Sequence, residues 1–209
     1  DVSRPNNEDL LSISLNMPGR HNALNATAAI AIATDEGIND ANICAGIEKF
    51  SGVGRRFDIQ GKFSYSNGEV MLIDDYGHHP TEVAVTLKAA RDAFAATRVV
   101  MVYQPHRFTR TRDHFDEFVS VLGENQVLIL LDVYAAGESP IDGADSQALA
   151  NAIRSRGVVD PIVVSDQRHL AAVLISVLED GDILLMQGAG DIGRLATALA
   201  ECETLEVLL

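Results

Sequence analysis

Val70-Met71-Leu72-Ile73-Asp74-Asp75-Tyr76-Gly77-His78-His79-Pro80-Thr81-Glu82 is the stretch whose reading decides the fold. Its first residues form a continuous apolar run, as expected of a strand covered on both faces. The polarity then changes abruptly, and Pro80 suits the first position of a helix. Val83, Leu87, Ala90 and Phe94 follow at helical spacing. The same succession returns at Val99–Tyr103 with Phe115, Phe118, Val119 and Leu122, at Val127–Leu131, at Ile162–Val164 with Leu170, Val173, Leu174 and Val177, and at Ile183–Met186. Strands alternating with helices over short connections imply parallel pairing through crossovers, hence a doubly wound, mainly parallel α/β sheet. Upstream, Asp58–Tyr65 followed by Ser66-Asn67-Gly68 predicts an antiparallel hairpin strand.

Working back toward the amino terminus, Leu10–Leu15 reads as a strand and Met17-Pro18-Gly19-Arg20 as a turn. The Ala-rich segment from Asn22 to Thr34 favours a helix that Gly37 stops, and a second helix is expected over Asp40–Lys49. Ser51-Gly52-Val53-Gly54 gives the backbone freedom and nothing to pack. We therefore divide the chain into a partial unit, 1–51, a linker, 52–56, and an α/β domain, 57–209. The start, Asp1-Val2-Ser3-Arg4-Pro5, has no initiator Met and no leader pattern, and reads as beginning in mid-chain.

Composition narrows the function. The 209 residues carry a formal charge of −14, with three lysines, which opposes phosphate attraction and argues against nucleic acid. Apolar residues make up 47%, enough for a core, yet no apolar run approaches the roughly 18 residues of a membrane span. Cys44 and Cys202 stand far apart, without the spacing of a disulfide framework or a zinc ribbon, so a cytoplasmic setting is expected.

Ligands of an open parallel sheet bind beyond the carboxyl ends of the strands, and here those positions are rich in polar residues: Asp74-Asp75-Tyr76-Gly77-His78-His79, Gln104-Pro105-His106-Arg107-Phe108-Thr109-Arg110-Thr111-Arg112, Asp132-Val133-Tyr134-Ala135-Ala136-Gly137-Glu138 and Gly188-Ala189-Gly190. Arg107 and Arg110 lie three apart at the start of an expected helix and so on one face. Guanidinium forks there oppose the helix dipole but match carboxylate or phosphate oxygens, which suggests an anion pocket. The alternative is surface pairing with Asp113 and Asp116. Asp74, Asp75, His78 and His106 also permit a metal site, and a turn cap at Asp75 with a helix opening at His79-Pro80 is the purely architectural alternative. Arg55 and Arg56 read equally as a solvated pair. Gly188-Ala189-Gly190-Asp191-Ile192-Gly193 matches G-x-G-x-x-G, but too few residues follow for the acidic partner about 20 positions on, so it reads as a tight strand-to-helix turn. The chain has no G-x-x-x-x-G-K-[ST] segment.

Pro18-Gly19-Arg20-His21-Asn22-Ala23-Leu24-Asn25-Ala26, Gly54-Arg55-Arg56-Phe57, Asp74 to Glu82, Gln104 to Thr111 and Asp132 to Glu138 together resemble the Mur ligases, and within them the branch that joins L-alanine to UDP-N-acetylmuramate. The resemblance implies a cytoplasmic, ATP- and Mg2+-dependent ligase of peptidoglycan synthesis. The chain would hold the end of an α/β ATPase central domain and a Rossmann-like carboxyl-terminal domain, its partners being the missing amino-terminal and central domains. It implies phosphorylation of the muramate carboxylate and attack of the alanine amine on the acyl phosphate. By motif position His21, Asn22, Asn25, Arg56 and Asp75 would bind the nucleotide, Asn22 being otherwise a helix cap. Tyr76, His78, His106, Arg107 and Arg110 would form the amino-acid end of the cleft, His78, His106, Arg107 and Arg110 with catalytic roles, no residue would be a metal ligand, and His79 would be structural. The resemblance also implies domain closure across the linker. The rivals are a hydrolase with a metal on Asp74, Asp75, His78 and His106, and a binding module without catalysis.

Overall fold

A computed structural model describes residues 2–4, 7–50, 52–202 and 204–205, the side chains of 3, 4 and 7–10 excepted. The chain forms two compact units, Asp1–Gly54 and Arg55–Leu209.

In the first unit, β1 (Val2–Arg4) pairs antiparallel with β2 (Asn7–Leu11), and α1 (Arg20–Asp35) and α2 (Asp40–Lys49) follow. The strand expected over Leu10–Leu15 is thus displaced. Val2 pairs with Leu11 and Arg4 with Asn7, and residues 12–15 are outside the strands of the described residues. Helix α1 begins two residues earlier than expected, with Gly19 at the cap and φ 100°, a conformation costly for any residue with a Cβ.

The second unit is a six-stranded sheet. Its strands are β3 (Asp58–Tyr65), β4 (Gly68–Asp75), β5 (Val99–Tyr103), β6 (Val127–Leu131), β7 (Ile162–Val164) and β8 (Ile183–Gln187), in spatial order β3-β4-β8-β5-β6-β7. Only β3 is antiparallel. Alternate side chains go to opposite faces. Val100, Val102, Leu184 and Met186 pack with α7 (Leu170–Val177) and α8 (Ile192–Glu201). Met101, Tyr103, Leu128 and Leu130 pack with Val83 of α3 (Pro80–Ala93), with α5 (Phe115–Leu122) and with α6 (Ser146–Arg156), while Ile183 and Leu185 pack with Leu87 and Ala90 of α3. These three layers bury every residue of β5 and β8, as their continuous apolar composition requires. This is the Rossmann-like α/β fold.

The last strand enters the middle of the sheet, between β4 and β5. From β8 the chain turns into α8, over β3 and β4, whereas from β5 it leads to the short helix α4 (Phe108–Asp113) and on to β6. Neighbouring strands whose connections diverge leave a crevice at their carboxyl ends.

Candidate active site

The crevice floor is packed backbone to backbone. Gln104 N–H donates to the Gln187 carbonyl at 3.0 Å, its Nε2 donates to Asp191 at 2.6 Å, and its Oε1 accepts the Ile192 N–H at 3.0 Å. A Cβ on Gly190 would collide with Gln104 and Tyr134, and one on Gly193 with the guanidinium of Arg55. The glycines of the G-x-G-x-x-G segment therefore make room for these side chains.

Along the lip runs a row of rings. Tyr76 meets His78 edge-on at 5.4 Å, His78 lies 5.6 Å from His106, and His106 stacks on Tyr134 at 5.5 Å. Arg55 and Arg56 sit over the Tyr76 ring at 5.0 and 5.8 Å, within cation–π range. Arg110 closes the other end, its Nη1 3.0 Å from both the Nδ1 and the carbonyl of His106.

The partners assign the imidazole protons. His78 Nδ1 lies 3.1 Å from the Tyr76 carbonyl, which can only accept, so Nδ1 carries the hydrogen and Nε2 of the neutral ring is an acceptor. His106 faces a guanidinium, which can only donate, so its Nδ1 accepts and its neutral ring carries the proton on Nε2. Burial and then the Arg110 charge hold the His106 pKa below its usual 6.5, keeping that ring neutral. Adjacent imidazoles thus present opposite characters at Nε2.

His79 caps α3. Its Nδ1 accepts the Thr81 N–H at 3.3 Å, while Glu82 accepts the N–H groups of His78 and His79 at 2.8 and 3.0 Å. Burial pushes the Glu82 pKa up, but those two N–H groups outweigh it and leave the net shift downward.

Asp75, expected at the nucleotide, is 5% exposed; its Oδ1 accepts from Gly77 N, Thr86 Oγ1 and Gln187 Nε2, and its Oδ2 accepts from Phe57 N at 2.9 Å. Four donors belonging to the chain occupy the carboxylate, which therefore ties β4, β8 and α3 together. Arg107 and Arg110 do not share a helix face. Arg107 precedes α4 with φ 73°, its N–H donating to the Tyr134 carbonyl at 2.9 Å, while Arg110 folds back onto His106. The exposed Arg107 guanidinium has no hydrogen bond or ion pair among the described residues. Arg112, not these two, pairs with Asp113. The first turn of α4 is capped by Glu138, which accepts from Thr109 N at 3.0 Å and Thr109 Oγ1 at 2.6 Å. Those bonds lower the Glu138 pKa.

The metal-hydrolase rival loses its ligand set. Asp75 is engaged as above, Asp74 pairs with Arg55 at 3.1 Å, and among the described residues no three His, Cys, Asp or Glu side chains gather for a metal. None of these residues is assigned to the Mg2+ implied with ATP.

In the first unit, Asn25 lines an apolar cavity of about 320 Å³ with Leu15, Met17, Ala29, Ile47 and Phe50. Asn22 is 5% exposed and donates to the Pro18 carbonyl at 2.8 Å, so it is not the helix cap. His21 Nδ1 is buried without a partner among the described residues.

Residues 55–190 match the family described as Mur ligase, glutamate ligase domain. The chain belongs to the Mur ligases. Among solved structures it is similar to the UDP-N-acetylmuramate–alanine ligase of Thermotoga maritima, at 28% identity and a TM-score of 0.72, over 90% of this chain and 39% of that one. A murein peptide ligase of Psychrobacter arcticus (23% identity, TM-score 0.64, 96% and 41% covered) and a folylpolyglutamate synthase of Mycobacterium tuberculosis (18%, 0.65, 91% and 42%) share the fold. This Mur ligase chain spans about two fifths of the length of those proteins.

The sequence reading of this Mur ligase missed Arg55, left as a solvated linker residue. Arg55 donates from Nε to Asp74 and from Nη2 to the Gly188 carbonyl at 2.6 Å, contacts 19 and 133 positions away that no local pattern signals. Gln104, Gln187 and Glu138 were likewise invisible as organisers, because their partners lie across the sheet.

Proposed function

We propose that this chain is the carboxyl-terminal part of an ATP-dependent ligase that joins L-alanine to UDP-N-acetylmuramate through an acyl phosphate. Supporting the reading are the five ordered motifs, the family match, and the 28% identity to an alanine ligase. The observation that carries it is the pair of neighbouring imidazoles of opposite character, with the exposed Arg107 following His106 in the chain.

ATP transfers its γ-phosphoryl group to the muramate carboxylate, releasing ADP. The alanine nitrogen, as the free amine, attacks the acyl carbon; the tetrahedral intermediate expels phosphate, and the nitrogen loses a proton. His78 Nε2 is suited to accept that proton, and His106 Nε2–H to donate a hydrogen bond to developing negative charge. Arg107 provides a fork for the alanine carboxylate or the acyl phosphate. Its exposed position fits a group that meets ligand rather than protein. The Asn25 cavity is our candidate seat for the adenine. Magnesium, when present with ATP, would offset phosphate charge.

Replacing Arg107 with Ala in the complete ligase is expected to lower alanine-dependent phosphate release at least about tenfold. Unchanged kcat and KM for alanine would remove Arg107 from the site. Histidine-selective NMR of the 209-residue chain, titrated with Mg-ATP and then L-alanine, is expected to move His78 and His106 and leave His169 in place.

A further inference from the structure

Arg55 lies outside every role assigned above and is held more tightly than any other rim arginine. Its backbone is in the left-handed region at φ 62°, unusual for a residue with a side chain. Its N–H donates to Asp58 at 3.2 Å and its carbonyl accepts the Tyr76 N–H at 2.7 Å. The guanidinium reaches Asp74 through Nε and the Gly188 carbonyl through Nη2, and passes Gly193 where a Cβ would block it. Asp74 is 3% exposed, and its other oxygen has no partner among the described residues. Arg55 also lines, with Tyr134, Gly190, Asp191 and Arg194, a cavity of about 560 Å³ at the β8–α8 turn.

From this geometry we infer that the Arg55–Asp74 pair is the positioning device of the crevice: it fixes Tyr76, and through the Tyr76 carbonyl the proton-bearing nitrogen of His78, at a set distance from the β8–α8 turn. The link is specific. Tyr76 is anchored by the Arg55 carbonyl and lies under its guanidinium, and the Tyr76 carbonyl at 3.1 Å, nearer than Glu82 Oε2 at 3.8 Å, is the acceptor within hydrogen-bond reach of His78 Nδ1. Loss of the Arg55 side chain leaves both backbone carbonyls in place but takes away the guanidinium over the Tyr76 ring and the fork that holds residue 55 at φ 62°, so the Tyr76 carbonyl is no longer held opposite His78 Nδ1 and the ring can exchange tautomers. Charge alone does not do this, because two separate bonds of the fork, to Asp74 and to Gly188, define its direction.

The inference rests on the proposed function only for its kinetic consequence. Removing one member alone would leave a buried charge unpaired, so the informative variant is R55M/D74N, which removes both. In the 209-residue chain, the 15N imidazole shifts of His78 are expected to move from the Nδ1–H pattern toward a mixture of tautomers. Those of His106, held by Arg110, are expected to keep the Nε2–H pattern. Should the double variant not fold, R55K, which keeps the charge but not the fork, is expected to show a smaller shift of the same sign. A His78 pattern identical to that of the unaltered chain in whichever variant folds overturns the inference. In the complete ligase, R55M/D74N is expected to lower kcat about tenfold with the KM for ATP unchanged, and an unchanged kcat also overturns it. Absence of alanine-dependent phosphate release from the unaltered complete enzyme defeats the ligase reading instead, and the tautomer measurement still decides the role of Arg55.

Discussion

The two ends of the central strands use arginine in opposite ways. At the amino ends, Arg98 donates to both oxygens of Asp182 at 2.9 and 2.7 Å, to the Val177 carbonyl at 2.8 Å and to Glu179 at 2.7 Å. Arg91 there bonds the carbonyl and the carboxylate of Glu124. At the carboxyl ends, Arg107 has no such partner and Arg56 has only the face of Tyr76 among the described residues. Both arginines at the bottom of the sheet have their hydrogen bonds made; at the top Arg55 and Arg110 do too, whereas Arg107 and Arg56 form none among the described residues. What separates the two ends is that pair of unengaged guanidinium groups.

The largest expected effect lies at the engaged end. Arg98→Met leaves Asp182, 3% exposed, without its cation, and is expected to cost about 3 kcal/mol, read as a lower urea midpoint. The NMR response to ligand should survive. A midpoint equal to that of the unaltered chain would erase the distinction between the two ends. Next comes Arg107→Lys in the complete ligase: a point charge replaces the fork, so alanine-dependent turnover should fall about tenfold, with stability within about 0.5 kcal/mol of the parent. A large stability loss would show that Arg107 is structural after all.

A smaller effect is expected at His106. Burial and then Arg110 place its folded pKa below the usual 6.5. The neutral ring's contribution to stability is therefore complete above pH 6.5 and is lost as pH falls from there through the folded value. An NMR titration should place the midpoint below 6.5, and Arg110→Ala should raise it without restoring it fully, since burial remains. A midpoint unmoved by Arg110→Ala would remove the Arg110 charge from the causes of the shift. Smallest is Lys88→Ala on α3, where an exposed pair with Asp92 is expected to change stability by no more than about 0.5 kcal/mol. A greater change would show that exposed pairs matter more here than their solvation allows.

How much was legible depends on how far each residue's partner lies along the chain. His79 and Pro80 announce a helix start because the capping partner, Glu82, is three residues on. The strands from Val99 to Met186 announce themselves because burial on both faces leaves a local apolar run. Leu10–Leu15 misled because a local apolar pattern does not say which residues find a pairing partner: Asn7–Leu11 pair with Val2–Arg4. Asp74 and Asp75, indistinguishable as neighbours, have separate fates: one faces Arg55 and the other collects four donors from β3's approach, β8 and α3.

From the residues alone came the parallel α/β character, the expectation of a site at the rim and the absence of a G-x-x-x-x-G-K-[ST] segment in these 209 residues, since periodicity and motif spacing are properties of the chain. Tertiary structure alone decided that β8 enters between β4 and β5, that Arg55 reaches Asp74 and the Gly188 carbonyl while Asp75 collects four donors, and that His78 and His106 hold their protons on opposite nitrogens. Each of those outcomes depends on a hydrogen-bond partner brought from elsewhere in the fold, and such a partner leaves no trace in the spacing of neighbouring residues.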